Sequence, residues 1–319
     1  MRFLLGRALH SLLLLVGASV LSFVLVDIAP GDYFEMMRLN TAISPSTIAT
    51  LRRQHGLDRS LPWRYWRWVQ SGFNGDWGFS FAYDSPAGPI LASRAKNTLL
   101  VTGTATCLAW LIALPLGLWA AARPGSWMDA LTSGTVSILL ATPELVLALL
   151  LLLFAVRTGY FPAGGLTTAG PGESGWMQGE DVARHLVLPS LCLAAGLLPV
   201  LLSHVRTAVR ATLQAPFVSA ARAYGIPFRR LLLRHVLPAA ANPLISLLGL
   251  SLGMLISSSL LIEAIFSWPG LGELMVEAIL QRDFFLVIDA SVLAAGFFIA
   301  GNFLADLLLY ASDPRIRGS

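Results

Sequence analysis

The sequence is short of charge. Only 13% of its 319 residues are Asp, Glu, Lys or Arg, where a soluble domain carries about 25%. So few ions cannot cover a water-facing surface of this size, which excludes a soluble globular enzyme. A hydrophobic content of 55% excludes a disordered chain as well. Lysine is nearly missing: Lys96 stands alone, and the other basic residues are arginines scattered between apolar runs. The formal charge of +4 therefore reports membrane orientation and not nucleic-acid binding. The two cysteines, Cys107 and Cys192, both sit in apolar runs and supply neither a disulfide framework nor a metal cluster. The chain has no G-x-x-x-x-G-K-[ST] phosphate loop, no H-E-x-x-H and no G-x-S-x-G, and its five histidines are dispersed. ATP hydrolysis by a phosphate loop, a metal centre and a serine nucleophile thus have no residues to run on. No internal repeat relates the two halves, which weighs against a duplicated secondary transporter.

What is present is a series of long apolar runs. A helix needs about 20 such residues to cross the hydrocarbon core. Six spans are expected: one within 1–29, then 97–122, 130–156, 185–206, 242–264 and 289–311. The third contains Glu144, which costs about 3 kcal/mol at mid-membrane. The Leu, Ile, Val and Phe residues around it return roughly 4–8 kcal/mol on the same scale. The first run follows Arg2 and Arg7, as a signal peptide would. It is too long for one and lacks an A-x-A site, so it reads as an uncleaved anchor. With the N-terminus inside, Arg2, Arg7, Arg123, Arg206, Arg210, the arginines of 222–234, Arg315 and Arg317 fall on the cytoplasmic side. Only Arg157, Arg184 and Arg282 occupy the short outer loops. This asymmetry places both termini in the cytoplasm.

Two segments outside the bilayer are long enough to act. Residues 30–96 read as a small extracytoplasmic domain between the first two spans. Ser44-Pro45-Ser46 caps a short helix over Thr47–His55 that Gly56 closes. Trp63, Tyr65, Trp66 and Trp68 follow, interleaved with Arg64 and Arg67. They form either an aromatic belt at the headgroups or a docking surface. The other segment, 211–241, is cytoplasmic. Pro216–Tyr224 is helix-compatible, with Phe217, Ala220, Ala221 and Tyr224 spaced along one face. Gly225 permits a left-handed turn, and Pro227 suits the first turn of a second helix. Leu231, Leu232, His235 and Val236 extend the apolar stripe, and Leu237-Pro238 closes the helix. Arg222, Arg229, Arg230 and Arg234 stay in water. The elbow is either a connector lying on anionic lipid or a helix presented to the groove of a cytoplasmic protein.

Several of these residues form a recognisable pattern. Ser219-Ala220-Ala221-Arg222-Ala223-Tyr224-Gly225, followed by His235-Val236-Leu237-Pro238, resembles the E-A-A-x-x-x-G-x(9)-I-x-L-P loop of membrane subunits in ATP-binding-cassette importers. Ala29-Pro30-Gly31-Asp32, Gly56-Leu57-Asp58-Arg59, Leu61-Pro62, Gly75-Asp76-Trp77-Gly78, Asn97-Thr98-Leu99-Leu100, the run from Glu263 to Gly272, and Asp313-Pro314-Arg315-Ile316-Arg317 narrow it further. Together they resemble the first-permease subunit of the dipeptide, oligopeptide and nickel branch. Ser219 stands where that loop opens with an acid, Tyr224 replaces a lysine, and Ala239 replaces an asparagine. Tyr33 and Lys96 replace prolines.

The resemblance implies an all-α integral membrane protein of the type I importer permease fold. It implies pairing with a second, usually different permease, two cytoplasmic ATPase subunits and an external solute-binding protein, in a bacterial inner membrane. This chain would bind no cofactor, with ATP and magnesium used by the ATPase. Ser219, Ala220, Ala221, Arg222, Tyr224, Gly225, Arg229, Arg230, His235, Leu237 and Pro238 would form the ATPase-coupling loop. Asp76, Trp77, Trp268, Pro269 and Gly270 are candidates for contact with the binding protein. Within the bilayer, Glu144 follows Pro143 and either lines the pathway or is a buried carboxyl bonded to a neighbouring helix. Ser251, Gly253, Ser257 and Ser258 of the fifth span, with Gly249 and Ser259, either line that pathway or serve close packing. Glu263 is expected at the water boundary, and Asp306 beside a cytoplasmic arginine. An exporter permease, or a membrane-embedded enzyme or assembly factor, is the alternative class. The cargo is open among peptides, related solutes and nickel complexes.

Overall fold

The computed structural model describes residues 2–29, 33–34, 44–54, 56, 58–168 and 175–312. His55, Leu57, the Pro30-Gly31-Asp32 stretch and the 313–319 tail, all invoked above, lie outside the described residues. Helix α1 covers Arg2–Ile28, α2 Pro45–Gln54 and α3 Leu61–Phe73. A two-residue hairpin, β1 Phe79–Ser80 with β2 Ser85–Pro86, pairs Phe79 with Pro86 and Ser80 with Ser85. It leads into α4, Ala87–Ala122. Helices α5 Trp127–Ala141, α6 Glu144–Thr158 and α7 Gly175–Leu213 follow. After the elbow come α11 Ala241–Ile265, α12 Leu271–Leu280 and α13 Phe284–Ser312; the elbow itself contains α8, α9 and α10, described below. The Ser44 hydroxyl accepts from the Thr47 amide at 3.2 Å, so α2 opens with the expected cap.

Among the described residues, five helices are long and apolar enough to cross a membrane: α1, α4, α7, α11 and α13. The expected third span corrects to a broken one. It divides into α5 and α6 at Thr142-Pro143, with a bend of 95°. Pro143 has no N–H to give the helix and forces Thr142 into extended backbone, at φ −101° and ψ 111°. If the pair counts as one span, the total is six.

Packing follows small side chains. Val101, Ala105, Ala109 and Ala113 form a stripe of four-residue spacing on α4, buried against Leu188, Cys192, Leu193, Leu197 and Leu201 of α7. A Cβ at Gly117 would come within 2.8 Å of Val205 Cγ1. In lipid, where no hydrophobic force separates helix from solvent, such close backbone approach is the main source of association. At one end of the bundle the elbow covers α4, α7 and α11. At the far end the hairpin and α12 cover α4 and α13.

Candidate functional site

The elbow is built by local backbone chemistry. Helix α8, Pro216–Ala223, starts on a proline whose missing donor would be unpaired there anyway. It ends in a two-bond left-handed cap. Gly225, at φ +74°, donates to Arg222 O at 2.9 Å, and Ile226 donates to Ala221 O at 3.2 Å. Pro227 caps α9, Phe228–Leu231, standing one position before its expected place in the first turn. The chain then widens into a π turn over Leu232–Val236 and resumes as α10, Leu237–Ala239. The helical run ends at Ala239, one residue past Pro238, before α11 begins at Ala241. The Leu237 amide reaches back to Leu232 O, and this looser winding accommodates a ring that an α-helix would drive into a carbonyl.

The underside of the elbow is anchored. Val218, Leu231, Val236 and Ala240 are buried with Ala121 of α4, Val205 and Val209 of α7 and Leu244 of α11. Its upper face is bare. Tyr224 is 88% exposed and Phe217 44%. Ser219, Ala220, Arg222, Arg229, Arg230 and Arg234 are also exposed, and the Arg222 guanidinium sits 5.6 Å from the Phe228 ring centre. His235 is exposed, so the apolar stripe leaves it out. Beside the elbow, Arg206 and Arg210 of α7 hold Asp129 of α5 at 2.5 and 3.0 Å.

Midway along the bundle a cavity of about 340 Å³ brings Glu144 together with Ser257 and Ser258. The 95° break makes Glu144 the first residue of α6, where free backbone amides favour a carboxylate. Gly196 of α7 makes the room, since a Cβ there would overlap the Glu144 carboxyl. Of the two readings for the small residues of the fifth span, Ser251 and Gly253 fit close packing. Ser251 is fully buried, donates to Leu248 O at 2.7 Å and lies 3.2 Å from the Trp110 indole N–H. Gly253 is filled against the Phe298 ring.

The far end corrects three further expectations. Glu263 is fully buried and does not face water. It accepts from the Gly272 amide at 2.6 Å. Trp268 and Gly270 are buried too, so neither offers a surface to an external protein. Trp268 donates to Asn97 O, Asn97 Nδ2 donates to Pro269 O at 2.7 Å, and the Leu271 amide donates to the Thr98 hydroxyl at 2.8 Å. A Cβ on Gly270 would strike the Glu263 carboxyl, and one on Gly272 would lie 2.5 Å from Leu260 Cα. Asp76 is exposed and Trp77 partly so. Asp306 pairs with Arg7 at 3.4 Å, as expected.

Two far-end features were missed by sequence reading. One is α12, whose buried Leu271, Leu274 and Ala278 carry a helical period that could have revealed it. The other is the pair of carboxylates at the start of α13. Asp283 accepts from the Ser80 hydroxyl at 2.7 Å, and Asp289 from the Trp68 indole at 2.6 Å. Those partners lie 203 and 221 residues away, and no local signal links them.

A bundle of long apolar helices with an anchored elbow at one end and a carboxylate-bearing cavity midway defines a multi-pass membrane permease. Residues 113–318 match the model for the binding-protein-dependent transport system inner membrane component, and residues 1–104 match its N-terminal companion. The chain belongs to that family. It is 33% identical over 317 residues to the oligopeptide transport system permease protein AppB of Bacillus subtilis, spanning 99% of both chains. It is 32% identical over 319 residues to the glutathione transport system permease protein GsiC of Salmonella paratyphi A, again spanning 99% of both. A solved structure of the MetNI methionine ABC transporter, in an inward-facing conformation, matches with a TM-score of 0.57 at 20% identity. That match covers 70% of this chain and 96% of the other. The fold is thus that of the type I importer permeases. The chain is the inner-membrane permease of an ABC importer, and ATP hydrolysis belongs to separate ATPase subunits that work with it.

Proposed function

We propose that this permease imports short peptides or a related small solute, as half of a pathway shared with a second permease subunit. The observation that carries the coupling step is the elbow's two-sidedness: an underside fixed into α4, α7 and α11, and a bare face around Phe217, Tyr224 and Phe228. A helix held this way moves only with the bundle, so force applied at its exposed face reaches the spans without being lost in a loose loop. The ATPase groove receives that face, with Arg222, Arg229 and Arg230 flanking it. ATP and magnesium act in the ATPase, and this chain holds no cofactor. Closure of the ATPase pair draws the elbows together and switches the spans between inward- and outward-facing arrangements.

On this reading the elbow end is cytoplasmic, with both termini, and residues 30–96 form an extracytoplasmic domain that meets a solute-binding protein through exposed parts such as Asp76. Charge asymmetry of the short loops supports that orientation. The relatives, one named for oligopeptide and one for glutathione transport, support a peptide-like cargo. In the cavity, the Glu144 carboxylate meets an ammonium group of the solute, and the Ser257 and Ser258 hydroxyls supply polar contacts.

Gly225→Asp in the reconstituted importer tests the coupling. The φ of +74° is one that a side chain tolerates at a cost of about 1–2 kcal/mol, and the cap loosens. Membrane insertion should remain normal while uptake per ATP hydrolysed collapses. Unchanged uptake would show that the elbow transmits nothing.

A further inference from the structure

The transport scheme makes no use of the arginines around α3. A cavity of about 360 Å³ opens there, lined by Arg53, Arg59, Arg64 and Arg67, with Trp63 among them and Asp76 as the one carboxylate of the lining among the described residues. The Arg59 and Arg67 guanidinium carbons stand 5.6 and 5.2 Å from the same Trp63 ring centre. Arg64 is tied to Asp27 through Nη1 at 2.7 Å, yet its Nε is buried with no hydrogen-bond partner. The Asp76 carboxylate is engaged by the Gly78 amide at 2.9 Å. Four guanidinium groups thus gather against two carboxylates among the described residues, Asp76 in the lining and Asp27 on Arg64, which leaves positive charge in excess. Their mutual repulsion falls when an anion sits between them.

The depth of the cavity narrows the ligand. Asp27 lies at the end of α1, and Phe285, at the start of α13, also lines the cavity. Both spanning helices reach the bilayer boundary at that level. Helix α3 lies against the last turns of α1, with the Tyr65 and Ser19 hydroxyls 2.9 Å apart and Phe23 at 5.3 Å from both Tyr65 and Trp68. The same helix leaves Trp66 60% and Phe73 88% exposed. Indole rings beside arginine favour the headgroup zone, and exposed aromatics next to it offer apolar area to acyl chains.

We propose that this cavity binds the phosphate of an anionic phospholipid headgroup, of the phosphatidylglycerol type, from the leaflet at the far end of the bundle. Guanidinium groups of Arg53, Arg59 and Arg67 donate to the phosphate oxygens, and the acyl chains run past Trp66 and Phe73. A glycerol headgroup suits the site, because an ammonium-bearing one would place a further positive charge among the arginines. On the orientation proposed above this is the outer leaflet. The site also gives a role to the basic residues gathered on and between α2 and α3.

The test uses the full-length chain in nanodiscs of equal phosphatidylglycerol and phosphatidylcholine, with co-purifying lipid counted by native mass spectrometry, so its result is independent of transport. The wild-type chain should retain phosphatidylglycerol in preference, and excess inorganic phosphate should not displace it. Arg59→Gln with Arg67→Gln should lower that preference about tenfold, as expected for lost charge-assisted contacts to phosphate. Lys96→Gln, on the same side but outside the cavity, should leave it unchanged. Arg53→Gln, which breaks no hydrogen bond or ion pair among the described residues, should lower it even if the double variant folds poorly. Equal retention of both lipids, displacement by inorganic phosphate, or equal losses in the Lys96 and arginine variants would overturn the proposal.

Discussion

Trp268 donates its indole N–H to the main-chain carbonyl of Asn97 at 3.0 Å, joining residues 171 positions apart. The indole is wholly buried, and the Asn97 side chain answers with its own bond to Pro269 O. The start of the second spanning helix is thereby fastened to the turn that follows the fifth.

That fastening has a measurable worth. Trp268→Ala removes a large buried side chain and leaves a void, for which about 3–5 kcal/mol is expected. Trp268→Phe keeps most of the volume but loses the donor, at about 1 kcal/mol. The melting temperatures of the purified chain in detergent should fall in that order, alanine well below phenylalanine. Equal values for phenylalanine and wild type would mean the Asn97 bond contributes nothing.

The cavity reading turns on Glu144 and the glycine opposite. Glu144→Gln removes the charge and preserves shape, so uptake of a peptide with a free amino terminus should drop more than uptake of its acetylated form. Gly196→Ala should act through geometry, because the new methyl occupies the carboxyl's space. It should depress uptake of both forms. Identical transport of the two peptides by Glu144→Gln would remove Glu144 from solute recognition.

Tyr83, in the turn between β1 and β2, donates to the Glu277 carboxylate of α12, and Arg94 of α4 donates to both. The Tyr83 phenol is pushed up to about 12, first by burial and next by its hydrogen bond to the Glu277 carboxylate, against the lowering effect of the Arg94 charge. The neutral phenol is the favoured form. Its contribution to stability is complete below the ordinary value near 10 and disappears as pH climbs through 12. Between pH 9 and 11 the folded chain's phenolate absorbance should be the same in Tyr83→Phe as in wild type. A smaller rise in the variant would show that Tyr83 ionises normally.

Much of the elbow was legible because its causes are local. Pro216, Gly225 and Pro227 fix backbone angles within a few residues, and the buried Val218 and Leu231 follow a helical period. The long apolar helices were legible for a similar reason, since apolar length is a property of the run itself, although α4 and α7 begin about ten residues before the apolar runs that announced them. The break at Pro143 was not, since hydropathy sums over a segment and is blind to its direction. Glu263 misled for a different reason. Its place at the end of a span suggested water, whereas the Gly272 amide and the turn around Trp268 fold back over it. The same turn buries Trp268 and Gly270, while Ser251 and Gly253 pack against Trp110 and Phe298, residues far off in the chain.

The bend between α5 and α6 also bears on how the protein is made. Each arm has 15 residues and reaches about 22 Å at 1.5 Å per residue, short of a hydrocarbon layer roughly 30 Å thick. Neither arm can stand upright across lipid alone. The first arm, α5, can rest on α4, already made, as well as on α7, but α6 packs on α7 and α11, which leave the ribosome only later, so α6 must wait at the translocon or the bilayer surface for its neighbours.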